Sequence, residues 1–106
     1  MKIQDITNFL ETIAPIGLQE NYDNSGLLTG SASWDCTGIL TTLDATEAVV
    51  QEAIKNQCNL IVAHHPIIFG GLKKISGNNY VAKAVITAIK NDIAIYAIHT
   101  NLDNVM

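Results

Sequence analysis

All three histidines of this chain stand at the ends of two short apolar runs. His64 and His65 follow Leu-Ile-Val-Ala, and His99 follows Ile-Ala-Ile-Tyr-Ala-Ile, with Asp103 four residues further on. Neutral imidazole is the commonest protein ligand for transition metals, and a carboxylate such as Asp103 adds charge or bridges two ions. Pro66 disfavours helical backbone at His65 and holds it extended. Side chains then alternate, so His64 and His65 serve two ions, or one ion and its surroundings, more readily than they clasp a single ion. Two divalent ions about 3.5–4 Å apart, held by His and carboxylate, are a recurrent hydrolytic arrangement.

A plainer reading has one histidine satisfying a strand end and the other lying on the surface. The combination His-His-Pro after one apolar run and His-x-x-x-Asp after the next favours the metal. His99 keeps three roles open: ligand, general acid or base, or donor orienting Asp103. Thr100 and Asn101 shape the turn. Asp44, at the end of Gly-Ile-Leu-Thr-Thr-Leu, is read first as helping to start the following helix.

Other chemistries lack their motifs. There is no phosphate-cradling Gly-x-x-x-x-Gly-Lys-[Ser/Thr], no dinucleotide fingerprint and no Gly-x-Ser-x-Gly. Trp34 is read as packing. Cys36 and Cys58 are isolated, which fits a reducing cytoplasm.

The elements that must position these groups alternate regularly. An amphipathic helix over Asp5–Ala14 carries Ile6, Phe9, Leu10 and Ile13 and ends at Pro15. Gly26–Gly30 is a candidate short strand. Gly38–Asp44 reads as a buried strand rich in β-branched residues. Thr46 is the expected cap of the next helix, with Glu47 in its first turn and Val49, Val50, Ala53 and Ile54 on its inner face. Leu60–Ala63 is a strand, and Pro66–Asn79 a loop whose Ile67, Ile68 and Phe69 pack inward. Tyr80–Lys90 is a helix and Ile93–Ile98 a strand. Strand, helix, strand, helix, strand at this spacing predicts an α/β fold with a parallel βαβαβ core behind an N-terminal helix. Ligands of open parallel sheets bind beyond the carboxyl ends of the strands, where the histidines lie.

The 106 residues suit a single domain, and 48% hydrophobic content argues against disorder. Ten acidic against six basic residues give a net charge of −4, against a nucleic-acid partner. No apolar run reaches the roughly 20 residues of a membrane span, and the N-terminus has no signal-peptide core.

Four segments in order, Tyr22–Gly30 (YDNSGLLTG), Thr41–Thr46 (TTLDAT), Ala63–Phe69 (AHHPIIF) and Ala97–Asp103 (AIHTNLD), resemble the N-terminal part of the Nif-three-like proteins, the GTP cyclohydrolase I type 2 homologues. The likeness runs through nearly all 106 residues. It implies an α/β fold, a ring-shaped homohexamer and a dinuclear site for divalent ions (Zn, Fe or Mn) held through His64, His65 and Asp103, with His99 beside it. It also implies a small-molecule substrate, a purine nucleotide whose ring is opened by water. A non-catalytic metal-binding scaffold or regulatory protein is the alternative. Family members are more than twice this length and complete the site with a His and a Glu from a later segment. Residues 1–106 are therefore expected to be the N-terminal part of a longer dinuclear-metal domain.

Overall fold

The computed structural model describes residues 1–14, 26–65 and 80–98. The elements run α1 (Ile3–Ile13), β1 (Gly26–Thr29), β2 (Ile39–Asp44), α2 (Glu47–Lys55), β3 (Leu60–His65), α3 (Tyr80–Lys90) and β4 (Ala94–Ala97). One four-stranded sheet has the order β1-β4-β3-β2. The segments β2, β3 and β4 are parallel, as expected, and the expected strand at Gly26–Gly30 is an edge strand antiparallel to β4.

The chain crosses the sheet in one direction, β2 to β3 to β4. Crossovers of a single hand therefore lay α2 and α3 on the same face. There Val50, Ala53, Ala84 and Ala88 pack against Ile61, Ala63, Ile93 and Ile95. The alanines let helix and sheet approach closely. On the opposite face α1 covers Leu60, Ala94 and Tyr96, with Ile3 fully buried and Ile6, Leu10 and Trp34 against the same cluster. Trp34 is a packing residue, as expected. Tyr96 is buried among these groups, and its hydroxyl is the sole buried side-chain polar atom of the described residues without a hydrogen-bond partner. Burial pushes the Tyr96 pKa up, and the charge of Glu11 adds to the shift.

The first helix starts two residues earlier than its sequence suggests, with Asp5 as its third residue. The Asp5 carboxylate reaches back to accept from the backbone N–H of Lys2 at 2.9 Å. The chain before the helix is tied to the 31–36 turn, with Ile3 N–H donating to Trp34 O and Cys36 N–H to Met1 O.

Helices α2 and α3 end in the same way. After α2, the N–H of Gln57 donates to Ile54 O and that of Cys58 to Ala53 O; after α3, Asp92 donates to Ile89 O and Ile93 to Ala88 O. This is the Schellman pattern, which turns the chain straight into the next strand. Gln57 and Asp92 hold the required left-handed position, with φ of 58° and 55°. Glycine is favoured there, and Gln57 carries a Cβ into it. Gln57→Gly is expected to stabilise the fold by up to about 1 kcal/mol, the lower strain being partly offset by a more flexible unfolded chain. Chemical denaturation measures it, and a loss of stability would contradict the strain argument.

One side chain reinforces the pairing of β1 with β4 where its ladder is irregular. The register slips between Leu27 and Thr29. At the slip the buried Thr29 hydroxyl accepts from Ile95 N–H at 3.0 Å and donates to Ile93 O at 3.1 Å. Thr29→Val keeps the shape but strands both backbone groups, and should lower the unfolding free energy by about 1–3 kcal/mol. An unchanged denaturation midpoint would show that the hydroxyl is dispensable.

Candidate metal centre

The parallel ladder decides which side chains meet. Ile39 pairs with Leu60 and Asp44 with His65, while Leu60 pairs with Ala94 and Ala63 with Ala97. The strand β3 lies between β2 and β4, so its last two residues have a neighbour on either side. They use one each. His64 Nδ1 lies 3.0 Å from the carbonyl oxygen of Ile98, just past β4. His65 Nδ1 lies 2.7 Å from Asp44 Oδ1, at the end of β2. The two rings stand 5.0 Å apart, centroid to centroid, and are tilted by 49°.

Both Nδ1 partners are acceptors. A carbonyl or a carboxylate oxygen can only receive, so each neutral ring carries its proton on Nδ1 and its lone pair on Nε2. That is the form in which imidazole ligates a metal while an outer partner orients it. The carbonyl of Ile98 is itself fixed, because the N–H of the same residue donates to Ala63 O at 2.9 Å and continues the ladder.

The structure corrects the reading of Asp44. Its carboxylate pairs with His65 instead of starting the helix. Thr46 caps α2, its hydroxyl accepting from Val49 N–H at 3.2 Å, with Glu47 in the first turn as expected. Asp44 and His65 are each the sixth residue of adjacent six-residue parallel strands. The pair is half-exposed, with 48% and 63% of the side-chain surfaces accessible, and an ion pair so open to water contributes about 0–1 kcal/mol at most.

His64 and His65 are thus brought together at the carboxyl end of the sheet. His99 and Asp103, with Thr100, Asn101 and the loop containing Ile67, Ile68 and Phe69, lie outside the described residues. Among the described residues no three His, Cys, Asp or Glu side chains converge on one point. A hollow of about 300 Å³ lined by Thr37, Ile54, Gln57, Cys58, Asn59, Asn91 and Ile93 opens at the other end of the sheet, before the strands begin. Its polar groups serve the fold: Thr37 Oγ1 donates to Gln57 O, and Asn59 links Thr37 N–H to Asp35 O. Cys36 and Cys58 are free thiols.

A family profile described as Duf34/NIF3 (NGG1p interacting factor 3) matches residues 1–106. The chain belongs to the DUF34/NIF3 family. A curated relative from Clostridium acetobutylicum, named GTP cyclohydrolase 1 type 2 homolog, is 43% identical over 105 residues, which are 99% of this chain and 39% of that protein. A crystal structure of a Staphylococcus aureus protein superposes with a TM-score of 0.93 at 43% identity, over 97% of this chain and 29% of the other. Reduced HcgD from Methanocaldococcus jannaschii superposes with a TM-score of 0.88 at 32% identity, over 97% of this chain and 41% of that one. The chain thus spans about two fifths or less of each of these relatives. Among the described residues no helix is long and apolar enough to cross a membrane.

The His64 contact has a direct test. At a pH where the ring is neutral, long-range ¹H–¹⁵N correlation should show His64 protonated on Nδ1. An Nε2–H ring would contradict the carbonyl contact.

Proposed function

We propose that this chain belongs to a divalent-metal-dependent hydrolase and supplies His64, His65 and Asp103 to a dinuclear centre, with His99 as its acid–base group. The observation that carries the reading is the pair of imidazoles at adjacent positions of a parallel strand end, each with Nδ1 turned to an acceptor. The donor set fits borderline divalent ions such as Zn, Fe or Mn, which take imidazole and carboxylate together. Such ions, when bound, act as Lewis acids and activate water near neutral pH.

The chain's own residues do the rest. The Ile98 carbonyl and the Asp44 carboxylate orient the two rings, and the ladder sets their spacing. Asp103 brings negative charge to ions that two neutral imidazoles leave uncompensated. His99, four residues before it in sequence, moves a proton between water and substrate. The names of the curated relatives support a purine nucleotide such as GTP as substrate, its ring opened by water. The family resemblance supports a homohexamer, and full-length proteins that add a His and a Glu to the site. The second reading, a metal-binding scaffold without turnover, draws on the words "interacting factor" in the family's description.

Elemental analysis of the full-length protein tests the metal. Stoichiometric Zn, Fe or Mn is expected in the wild type, with at least a tenfold loss in His64→Ala. A wild-type protein that takes up none of the three after reconstitution would overturn the proposal. GTP hydrolysis abolished by a chelator and restored by metal supports the hydrolase. Bound metal without turnover supports the scaffold, and turnover that survives complete metal removal would sink the metal-dependent mechanism.

A further inference from the structure

We infer that Asp44 is a positioning residue for His65, selecting the imidazole form whose Nε2 can ligate a metal. The inference rests on the metal reading above and adds a residue outside the ligand set. Three observations carry it. The parallel register seats Asp44 directly beside His65. The Nδ1 to Oδ1 distance is 2.7 Å, within the range of a charge-assisted hydrogen bond. The alternative tasks of Asp44 are already filled: Thr46 caps α2, and the Asp44 backbone carbonyl accepts from the Thr42 hydroxyl at 3.0 Å.

The contact is too exposed to serve stability, since 48% of the His65 side chain and 63% of the Asp44 side chain face water. What it does serve is ring choice. A neutral imidazole in water exchanges between two tautomers and turns about its side-chain bonds. A neighbouring carboxylate that only accepts disfavours the tautomer with the lone pair on Nδ1. The two histidines differ in this respect. At Nδ1, His64 meets a backbone carbonyl, which no side-chain substitution removes, whereas His65 meets a side chain. Replacing Asp44 should therefore remove the Nδ1 acceptor of one ring and leave that of the other in place.

The full-length protein carrying Asp44→Ala, Asp44→Asn or the control Glu52→Gln tests this in two measurements. Glu52 is an exposed carboxylate on α2, so its substitution removes one negative charge without touching either ring. In the metal-free proteins, ¹H–¹⁵N correlation should show His65 losing its Nδ1–H preference in Asp44→Ala, while His64 keeps its own. Asp44→Asn, which retains a neutral acceptor, should lie between. In competition with a chelator, Zn²⁺ and Mn²⁺ should bind Asp44→Ala about 10- to 100-fold more weakly than wild type. Partial recovery is expected in Asp44→Asn and none of the loss in Glu52→Gln. Unfolding midpoints close to wild type would confirm that the fold is intact.

An unchanged His65 ring form in Asp44→Ala would overturn the inference. So would a changed ring form with wild-type metal affinity. Failure of the wild type itself to bind Zn²⁺ or Mn²⁺ would overturn the underlying metal reading instead, which separates the two failures.

Discussion

The parallel register of β2, β3 and β4 is the constraint on which the rest of this structure depends. Adjacent strands in a sheet lie about 4.8 Å apart, so in-register residues are forced into contact. Asp44 opposite His65, and Ala97 opposite Ala63, follow from that spacing. A one-residue slip of β2 would put Leu43 beside His65 and send Asp44 to the other face of the sheet. The helices act on this register by fixing where each strand begins. Both crossovers leave their helix through the same Schellman turn, and Cys58 and Ile93 enter the strands from equivalent positions.

The two ends of the sheet are therefore treated differently. At the amino ends of β2–β4 the polar groups are paired among themselves, as Thr37, Gln57 and Asn59 show. At the carboxyl end of β3, polar side chains are tied sideways to neighbouring strands through one ring nitrogen each. Tying Nδ1 leaves the lone pair on Nε2 and removes the freedom of the ring to turn. This is a concrete form of the general rule that open parallel sheets place chemistry at the carboxyl ends of their strands.

Much of this was legible in the sequence. The α/β class, the three parallel strands, Thr46 as a cap and the span Tyr80–Lys90 all follow from local periodicity and capping chemistry. The antiparallel pairing of β1 was not legible. It joins segments far apart in the chain, with the Thr29 hydroxyl reaching Ile93 and Ile95, residues 64 and 66 positions away, and no local pattern encodes that. The early start of α1 was not legible either, since Lys2 is not a usual capping residue and its N–H bond to Asp5 shows only in the structure. The Asp44–His65 contact was missed for another reason. An acid just before a helix has an evident local use, and only the register shows that Asp44 stands beside His65 instead.

That displacement of roles bears on how such sites are built. When a hydroxyl caps the helix, the carboxylate two residues before it is released from local duty, yet it remains anchored at the strand end. It is then held by the ladder without belonging to any backbone motif, and it can orient a neighbour across the sheet. The backbone carbonyl of Ile98 does the same for His64 from the other side, by virtue of the last ladder bond to Ala63. Two histidines adjacent in sequence thus take their orientation from opposite neighbours. Each depends on a different strand keeping its place, so the geometry of the pair reports on the whole three-strand ladder. Disturbing β2 should affect His65 first, and disturbing β4 should affect His64.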